Sequence, residues 1–376
     1  MSRAVAARVG DAAHEIDTPA LVVDLDALER NIERMAHFAR THALRLRPHA
    51  KTHKSADIAR LQLAAGAVGV CVQKVSEAEA LADAGIDDLY ISNEVVAENK
   101  LARVADLARR VRLALAVDSA LGIERLAHAV AQAGSRVEVF VEVDVGQGRC
   151  GVEPARAGSL ARQVVAHPGL VFAGLQAYHG GAQHLRGADE RAAAIRHAVA
   201  AAAAARAAVT ALGVACPLVT GAGTGSFVHE AAGGVHGELQ AGSYVFLDRD
   251  YADNEAAPGA PSFEHALFVA TQVMSRAAAH AVIDAGHKSH ALDSGPPRVW
   301  QRDDLVVANG GDEHGILRLT AGGAGALPAL GEHLWLVPGH CDPTVNLHDG
   351  FVVVRGGLAA GTVAAVWPVT ARGCVT

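Results

Sequence analysis

The feature that most constrains this chain is an alternation of short apolar runs with longer amphipathic ones, sustained from residue 18 to residue 247. Thr18 to Leu25 reads as a first strand opened by Pro19, and Leu28, Ile32, Met35 and Phe38 then fall on one face of a helix. Asp26 can cap that helix, and Glu29, three residues on, makes a capping-box-like pair with it. The pattern repeats as strands near 43–46, 68–72, 88–92, 112–117, 137–144, 170–176 and 216–220, separated by helices over 55–64, 76–84, 96–109, 119–133, 154–166 and 187–212, with a further apolar run near 238–247. Strands alternating with helices are βαβ units of a parallel sheet, and eight or nine in one unbroken series favour a closed (β/α)8 barrel over an open sheet.

The texture changes after Asn254. Prolines appear at 258, 261, 296 and 297, helical periodicity fades, and strand-like runs follow at 265–273, 279–284, 315–319, 333–338, 350–355 and 362–367. The expected organisation is an α/β barrel over residues 18–254 and a C-terminal all-β domain over 255–376, with residues 1–17 packing on the β domain. Apolar residues make up 51% of the chain, enough for cores of this size, and aromatic residues only 4%. A net charge of -7 argues against a nucleic-acid partner. Five scattered cysteines imply no disulfide framework. Residues 1–11 have no apolar signal region, and no stretch has 18 consecutive apolar residues, so the expectation is a cytoplasmic protein with no membrane partner.

Several loops at strand ends carry chemistry. Lys51, in Arg47-Pro48-His49-Ala50-Lys51-Thr52-His53-Lys54, has a short tether at the mouth of a strand. Lysine forms a Schiff base with a carbonyl when its pKa is lowered, and Arg47, His49, His53 and Lys54 could supply a cationic field; a solvated basic loop is the plain alternative. Arg149 sits among the glycines of Asp144-Val145-Gly146-Gln147-Gly148-Arg149-Cys150-Gly151, where it can donate planar hydrogen bonds or simply mark a tight turn. Thr220-Gly221-Ala222-Gly223-Thr224-Gly225-Ser226 combines small residues, free N–H groups and hydroxyls in an anion nest suited to a small monophosphate. Tyr178-His179-Gly180-Gly181-Ala182-Gln183-His184 offers two histidines, either able to act as a general base or to serve as a cap. In the β domain, His340 and Asp342 would leave one face of an extended backbone, a pair suited to Mn²⁺, Mg²⁺ or Zn²⁺, with Cys341 pointing away. Asp312-Glu313-His314-Gly315 adds acidic and imidazole groups, or is a plain turn.

Together these residues resemble the fold-type III pyridoxal 5'-phosphate enzymes, and more narrowly the group of D-threonine aldolases, 3-hydroxy-D-aspartate aldolases and D-serine dehydratases. The resemblance runs from Thr18-Pro19 to Trp367–Gly373. It is carried by Pro48-His49-Ala50-Lys51, Glu142–Gly151, Leu239-Gln240-Ala241-Gly242-Ser243-Tyr244, Asp312-Glu313-His314-Gly315 and His340-Cys341-Asp342-Pro343-Thr344. It implies an alanine-racemase-like barrel plus β domain, and a homodimer. It implies that Lys51 carries the cofactor, that Gly223, Thr224 and Gly225 meet its phosphate, and that Arg149, Tyr178 and Tyr244 line it. His184 then corresponds to the histidine near the substrate hydroxyl, His340 and Asp342 to the divalent-metal ligands (Mn²⁺ or Mg²⁺), and Asp312 and His179 to substrate contacts. The dehydratases carry a His-x-Cys pair, whereas His340-x-Asp342 follows the aldolase pattern. The implied reaction is cleavage of a D-3-hydroxy-amino acid, with D-threonine favoured over 3-hydroxy-D-aspartate, to glycine and an aldehyde. A dehydratase and a non-catalytic pyridoxal-phosphate carrier are the alternatives.

Overall fold

The computed structural model describes residues 6–322 and 325–376. Eight short strands, Arg45–Leu46, Val70–Val72, Asp88–Glu94, Arg112–Val117, Val137–Glu142, Leu170–Ala177, Val219–Gly221 and Glu238–Leu239, form one parallel sheet. From Asp88–Glu94 onward each pairs with its predecessor in the chain, and Arg45–Leu46 pairs with the last. Val68 N donates to Leu46 O (2.9 Å), Cys71 N donates to Pro48 O (2.8 Å), and a parallel bridge joins His49 to Cys71. These bonds close the ring, as the right-handed βα series requires.

The strands read as continuous apolar runs because both faces are covered. Leu89 and Ile91 face the helical layer, while Tyr90 between them joins Cys71, Ala114, Ala116 and Phe140 inside the barrel. Helix Ala188–Ala211 is long and apolar enough to cross a bilayer by composition alone. It buries Ile195, Ala198, Ala202, Ala205 and Val209, a stripe at helical spacing, and these alanines and the valine join the main barrel core.

The second sheet corrects the expected start of the barrel. Ala20–Asp24 is not a barrel strand; it runs antiparallel to Leu267–Arg276 and parallel to Gly350–Arg355. A strand covered on both faces has the same apolar pattern in either sheet, so periodicity alone does not assign it. His333–Val337, Ala281–Ile283, Gly315–Leu319 and Thr362–Pro368 complete most of the sheet. Two short strands, Arg298–Val299 and Leu305–Asn309, were not expected; the latter is an edge strand with Val306 in solvent. Residues 6–17 do lie on this domain: Gly10 N and Ala13 N donate to Val363 O and Gly361 O, and Ala13 and Ile16 are buried. Residues 1–5 lie outside the described residues.

Helix Leu25–Thr41 is capped by Asp24, whose carboxylate accepts from Ala27 N (3.1 Å), rather than by Asp26. Asp26 and Glu29 both bind Arg355, at 2.9 and 2.7 Å, which fastens the helix to the strand Gly350–Arg355.

Candidate active site

A cavity of about 300 Å³ opens at the C-terminal ends of the barrel strands and reaches the His340 loop of the second sheet. Lys51 enters it from the turn Ala50–Thr52, which follows the first barrel strand; His49 Nδ1 accepts from Lys51 N (3.3 Å) and fixes the turn. The Lys51 side chain is 41% exposed, and its Nζ lies 3.7 Å from Asp342 Oδ2. Burial lowers its pKa most strongly, but Asp342, with Tyr178 and Glu77, together outweigh burial and Arg149, and the net shift is upward. The expected cationic field is absent. Burial holds His49 far below the usual histidine range and His53 at about 4, so both are neutral near pH 7. Lys54 turns away to Glu77 (2.6 Å), and Arg47 lies inside the sheet between Asp88 and Glu238.

Arg149 follows Val137–Glu142 on a loop with φ of 118°, 68° and 98° at Gly146, Gly148 and Gly151. Asp144 Oδ1 accepts from Gly148 N (3.1 Å) and Gly146 N (2.9 Å), bonds that lower its pKa and curl the loop. A Cβ at Gly151 would lie 2.5 Å from Asp144 N, so the curl also needs its glycine. The guanidinium carbon of Arg149 stands 5.8 Å from the Tyr178 ring centroid, and its Nη2 is 3.9 Å from Glu142. Burial and the neighbouring Glu94 push Glu142 up to about 9, leaving it protonated near neutrality. Burial also raises the Tyr178 phenol, against the opposing pull of Lys51 and Arg149.

His184 closes the turn Gly181–His184 and meets Asp250 Oδ2 through Nδ1 at 2.6 Å. Burial would raise Asp250, yet the bonds from His184 and Arg186 prevail and bring it to about 2. An ionised Asp250 accepts Nδ1–H, which leaves Nε2 as the free ring nitrogen.

His340 and Asp342 meet, although not by the extended geometry expected. His340 occupies the position just before the short helix Cys341–Val345, without a side-chain capping bond, and Asp342 lies in its first turn. His340 Nε2 is 3.8 Å from Asp342 Oδ1, and His340 Nδ1 is held by Asp293 Oδ2 at 2.6 Å. Asp342 Oδ1 is buried without a hydrogen bond. Cys341 is buried in the second hydrophobic core, its amide donating to Asp248. Among the described residues no group of three or more metal-ligating side chains is assembled.

The glycine nest is partly self-satisfied. Gly223 and Thr224 line the cavity, but Gly223 N donates to Ser226 Oγ (3.3 Å) and Gly225 N to Gln183 Oε1 (2.9 Å). Tyr244 does not face the cavity: its amide donates to Thr224 Oγ1 (2.9 Å), and its buried phenol accepts from Gln62. His179 and Asp312 also lie outside the lining. His179 accepts from Ala182 N at the start of its turn, and Asp312 pairs with His287 and Lys288 on the surface of the β domain.

Residues 23–250 match the family of the alanine racemase N-terminal domain. The chain belongs to that family. Residues 266–354 match a putative serine dehydratase domain, so the family barrel is joined here to a second recognised unit. The chain is 48% identical over 369 residues to a D-threonine aldolase of Arthrobacter sp, covering 98% of this chain and 96% of that one. It is 44% identical over 367 residues to a 3-hydroxy-D-aspartate aldolase of Paracoccus denitrificans (strain Pd 1222), covering 96% and 93%. The crystal structure of D-threonine aldolase from Filomicrobium marinum superposes with a TM-score of 0.95 at 49% identity, covering 100% of both chains.

Within this family fold, the site also contains Asp250 and Tyr251, which are not among the sequence-based candidates, and Gly242 and Ser243, which enter there only as part of the Leu239–Tyr244 motif. The last three line the cavity, and Asp250 orients His184. Asp248-Arg249-Asp250-Tyr251, a charged cluster directly after an apolar run, was the available signal. Gly242 packs so closely on the lysine turn that a Cβ would lie 2.8 Å from both His49 O and Thr52 Oγ1.

Proposed function

We propose that this chain is a pyridoxal 5'-phosphate-dependent carbon–carbon lyase that cleaves D-threonine and related D-3-hydroxy-amino acids to glycine and an aldehyde. The observation that carries the reading is the meeting of Lys51 from the barrel with Asp342 from the second domain, 3.7 Å apart in one cavity. The residues fit the cofactor: Lys51 has an amine beyond hydrogen-bond distance of Asp342, and small residues at 222–224 and 242–243 face it across the cavity. Lys51, Arg149, Tyr178 and the backbone near Gly223, Thr224, Gly242 and Ser243 would hold it. When bound, pyridoxal phosphate supplies an electron sink for the pair left on Cα.

The donor set at His340 and Asp342 also fits a divalent cation, Mn²⁺ or Mg²⁺, because a buried carboxylate oxygen lacks a partner beside an imidazole whose other nitrogen is carboxylate-held. Such an ion would polarise the substrate's β-oxygen. His184 takes the β-hydroxyl proton on Nε2 while Asp250 keeps Nδ1 protonated and stabilises the imidazolium. Breaking Cα–Cβ then releases the aldehyde, and protonation at Cα gives glycine.

The test is product release from both substrates after chelation, with and without added Mn²⁺. Glycine and acetaldehyde from D-threonine, dependent on metal, are expected; ammonia and a 2-oxo acid would replace the aldolase with a dehydratase.

A further inference from the structure

The segment from Val369 to Thr376 touches nothing in the cavity, yet it binds both loops that furnish it. On the barrel side, Ala371 N donates to Lys54 O (2.9 Å), and Ala56 N donates to Thr370 Oγ1 (3.1 Å). Lys54, in a left-handed conformation (φ 50°), turns its buried ammonium onto Glu77 Oε1 (2.6 Å) and within reach of Ala371 O (3.4 Å) and Cys374 O (3.3 Å). Ser76 binds the main-chain oxygen of Thr376 through both its amide (3.0 Å) and its hydroxyl (2.7 Å). On the other side, Gly373 N donates to Asn346 Oδ1 (3.0 Å), at the end of the helix that carries Asp342. Val369 N donates to Asp349 O (2.9 Å), and Arg372 binds the Asp349 carboxylate. Val369 and Ala371 are buried, which anchors the segment between the two sets of contacts.

We propose that residues 369–376 are a strap that sets the spacing between Lys51 and the His340–Asp342 pair, with Lys54 and Asn346 as its positioning residues. Two domains contribute the two halves of the site, and each half sits on a turn of only a few residues: Ala50–Thr52 and Cys341–Val345. The two turns pack on each other, and the strap ties together the residues that follow them, Lys54–Ala56 on one side and Asn346 on the other, so it adds one common brace to their separation. The inner side of the lysine turn is held through Glu77. Its Oε2 accepts from Gln73 N (2.8 Å), Gln73 Nε2 is 2.9 Å from His49 Nε2, and His49 accepts from Lys51 N. Lys54 therefore joins the strap to the same hydrogen-bonded chain that orients Lys51.

This inference rests on the proposed roles of Lys51 and the His340–Asp342 pair, so one readout must be free of them. Two variants separate the possibilities: removal of residues 372–376, and the double substitution Asn346→Ala, Thr370→Val, which deletes one hydrogen bond on each side. Hydrogen exchange of the apoprotein, which needs neither cofactor nor metal, is expected to quicken at residues 50–56 and 340–347 together in both variants. In the loaded enzyme kcat with D-threonine should fall ~10-fold or more, with KM little changed, and the Mn²⁺ concentration for half-activation should rise. The visible absorption of bound pyridoxal phosphate should persist. A contribution to stability alone would lower Tm and leave the Mn²⁺ dependence and the exchange of 50–56 at their starting values, and that result overturns the strap. Should the truncated chain fail to fold, the double variant decides by the same readouts. Absence of a visible band in the unsubstituted protein would sink the cofactor reading instead, and the exchange pattern would still judge the strap.

Discussion

The floor and the mouth of the barrel are both polar, but the floor is a closed network of hydrogen bonds whereas the mouth leaves several of its charged pairs unbonded. On the floor, Tyr90 OH donates to Gln176 Oε1 (2.9 Å), Gln176 and Gln240 exchange bonds of 3.1 and 2.8 Å, and Gln240 reaches Thr220 Oγ1 (2.8 Å). All four residues are buried. At the mouth, Lys51 to Asp342, His340 to Asp342 and Arg149 to Glu142 stand at 3.7, 3.8 and 3.9 Å, each too long for a hydrogen bond. A buried network with its bonds made gives shape and rigidity. Polar groups held close but unbonded in a cavity keep their capacity for a ligand. The comparison assigns chemistry to the mouth and stability to the floor, and substitutions in the two regions should separate accordingly.

The largest effect is expected at Lys51. Lys51→Ala should abolish the visible absorption of bound pyridoxal phosphate and reduce turnover to background, while thermal unfolding of the apoprotein moves little; an unchanged spectrum would remove Lys51 from its role. Next comes His184→Ala, for which kcat should fall by roughly 10²–10⁴ if Nε2 takes the proton. Arg186 still occupies Asp250 in that variant, so the fold around the turn survives and a rate assay reads the chemistry. A rate within a factor of two of the parent would transfer the base role to water.

A third substitution probes the rim between the two regions. Glu230 is 2% exposed, accepts from Ser226 Oγ (2.8 Å) behind the Gly223 turn, and is pushed by burial from 4.5 up to about 7. A carboxyl whose pKa is raised on folding binds its proton more tightly in the native state, so stability falls as pH rises from about 4.5 to 7 and is level above that. Glu230→Gln has nothing to ionise. Urea titrations at pH 4.5 and 7.5 should therefore show the variant gaining on the parent at the higher pH, by at most about 3 kcal/mol. Parallel curves at both pH values would mean that Glu230 does not titrate in this range.

What could be read before the structure follows the range of each interaction. Lys51, Arg149 and the His340–Asp342 pair sit in short local motifs, and the fold brings all of them to one cavity. Asp250 lies 66 residues from His184 in sequence, and only the closing of the barrel pairs them. Tyr244 lies beside a cavity residue, Ser243, but its side chain leaves toward Gln62, a direction that depends on the turn Ser243–Val245. The strand Ala20–Asp24 was legible as a strand and not as a member of the second sheet, because its partners at 267–270 and 352–354 are remote in the chain. The nest at Gly223 is legible as small and polar, whereas the satisfaction of its amides by Ser226 and Gln183 depends on how the folded loops meet.

The smallest effect, and the sharpest check on the comparison, is expected at the floor. Tyr90→Phe removes one hydroxyl from a fully buried ring that packs on Phe140 at 4.7 Å between centroids. Gln176 Oε1 keeps its bond from Gln240 Nε2 (2.8 Å), so no acceptor is left bare and the loss is that of one ordinary hydrogen bond, about 1 kcal/mol. The apoprotein should melt a degree or two lower, and kcat and KM with D-threonine should stay within a factor of two. If kcat instead falls ~10-fold with Tm unchanged, the floor is transmitting a position to Lys51 or Arg149. The division between a structural floor and a chemical mouth would then have to be redrawn, with Gln176 and Gln240, which border both, counted among the groups that position the reacting residues.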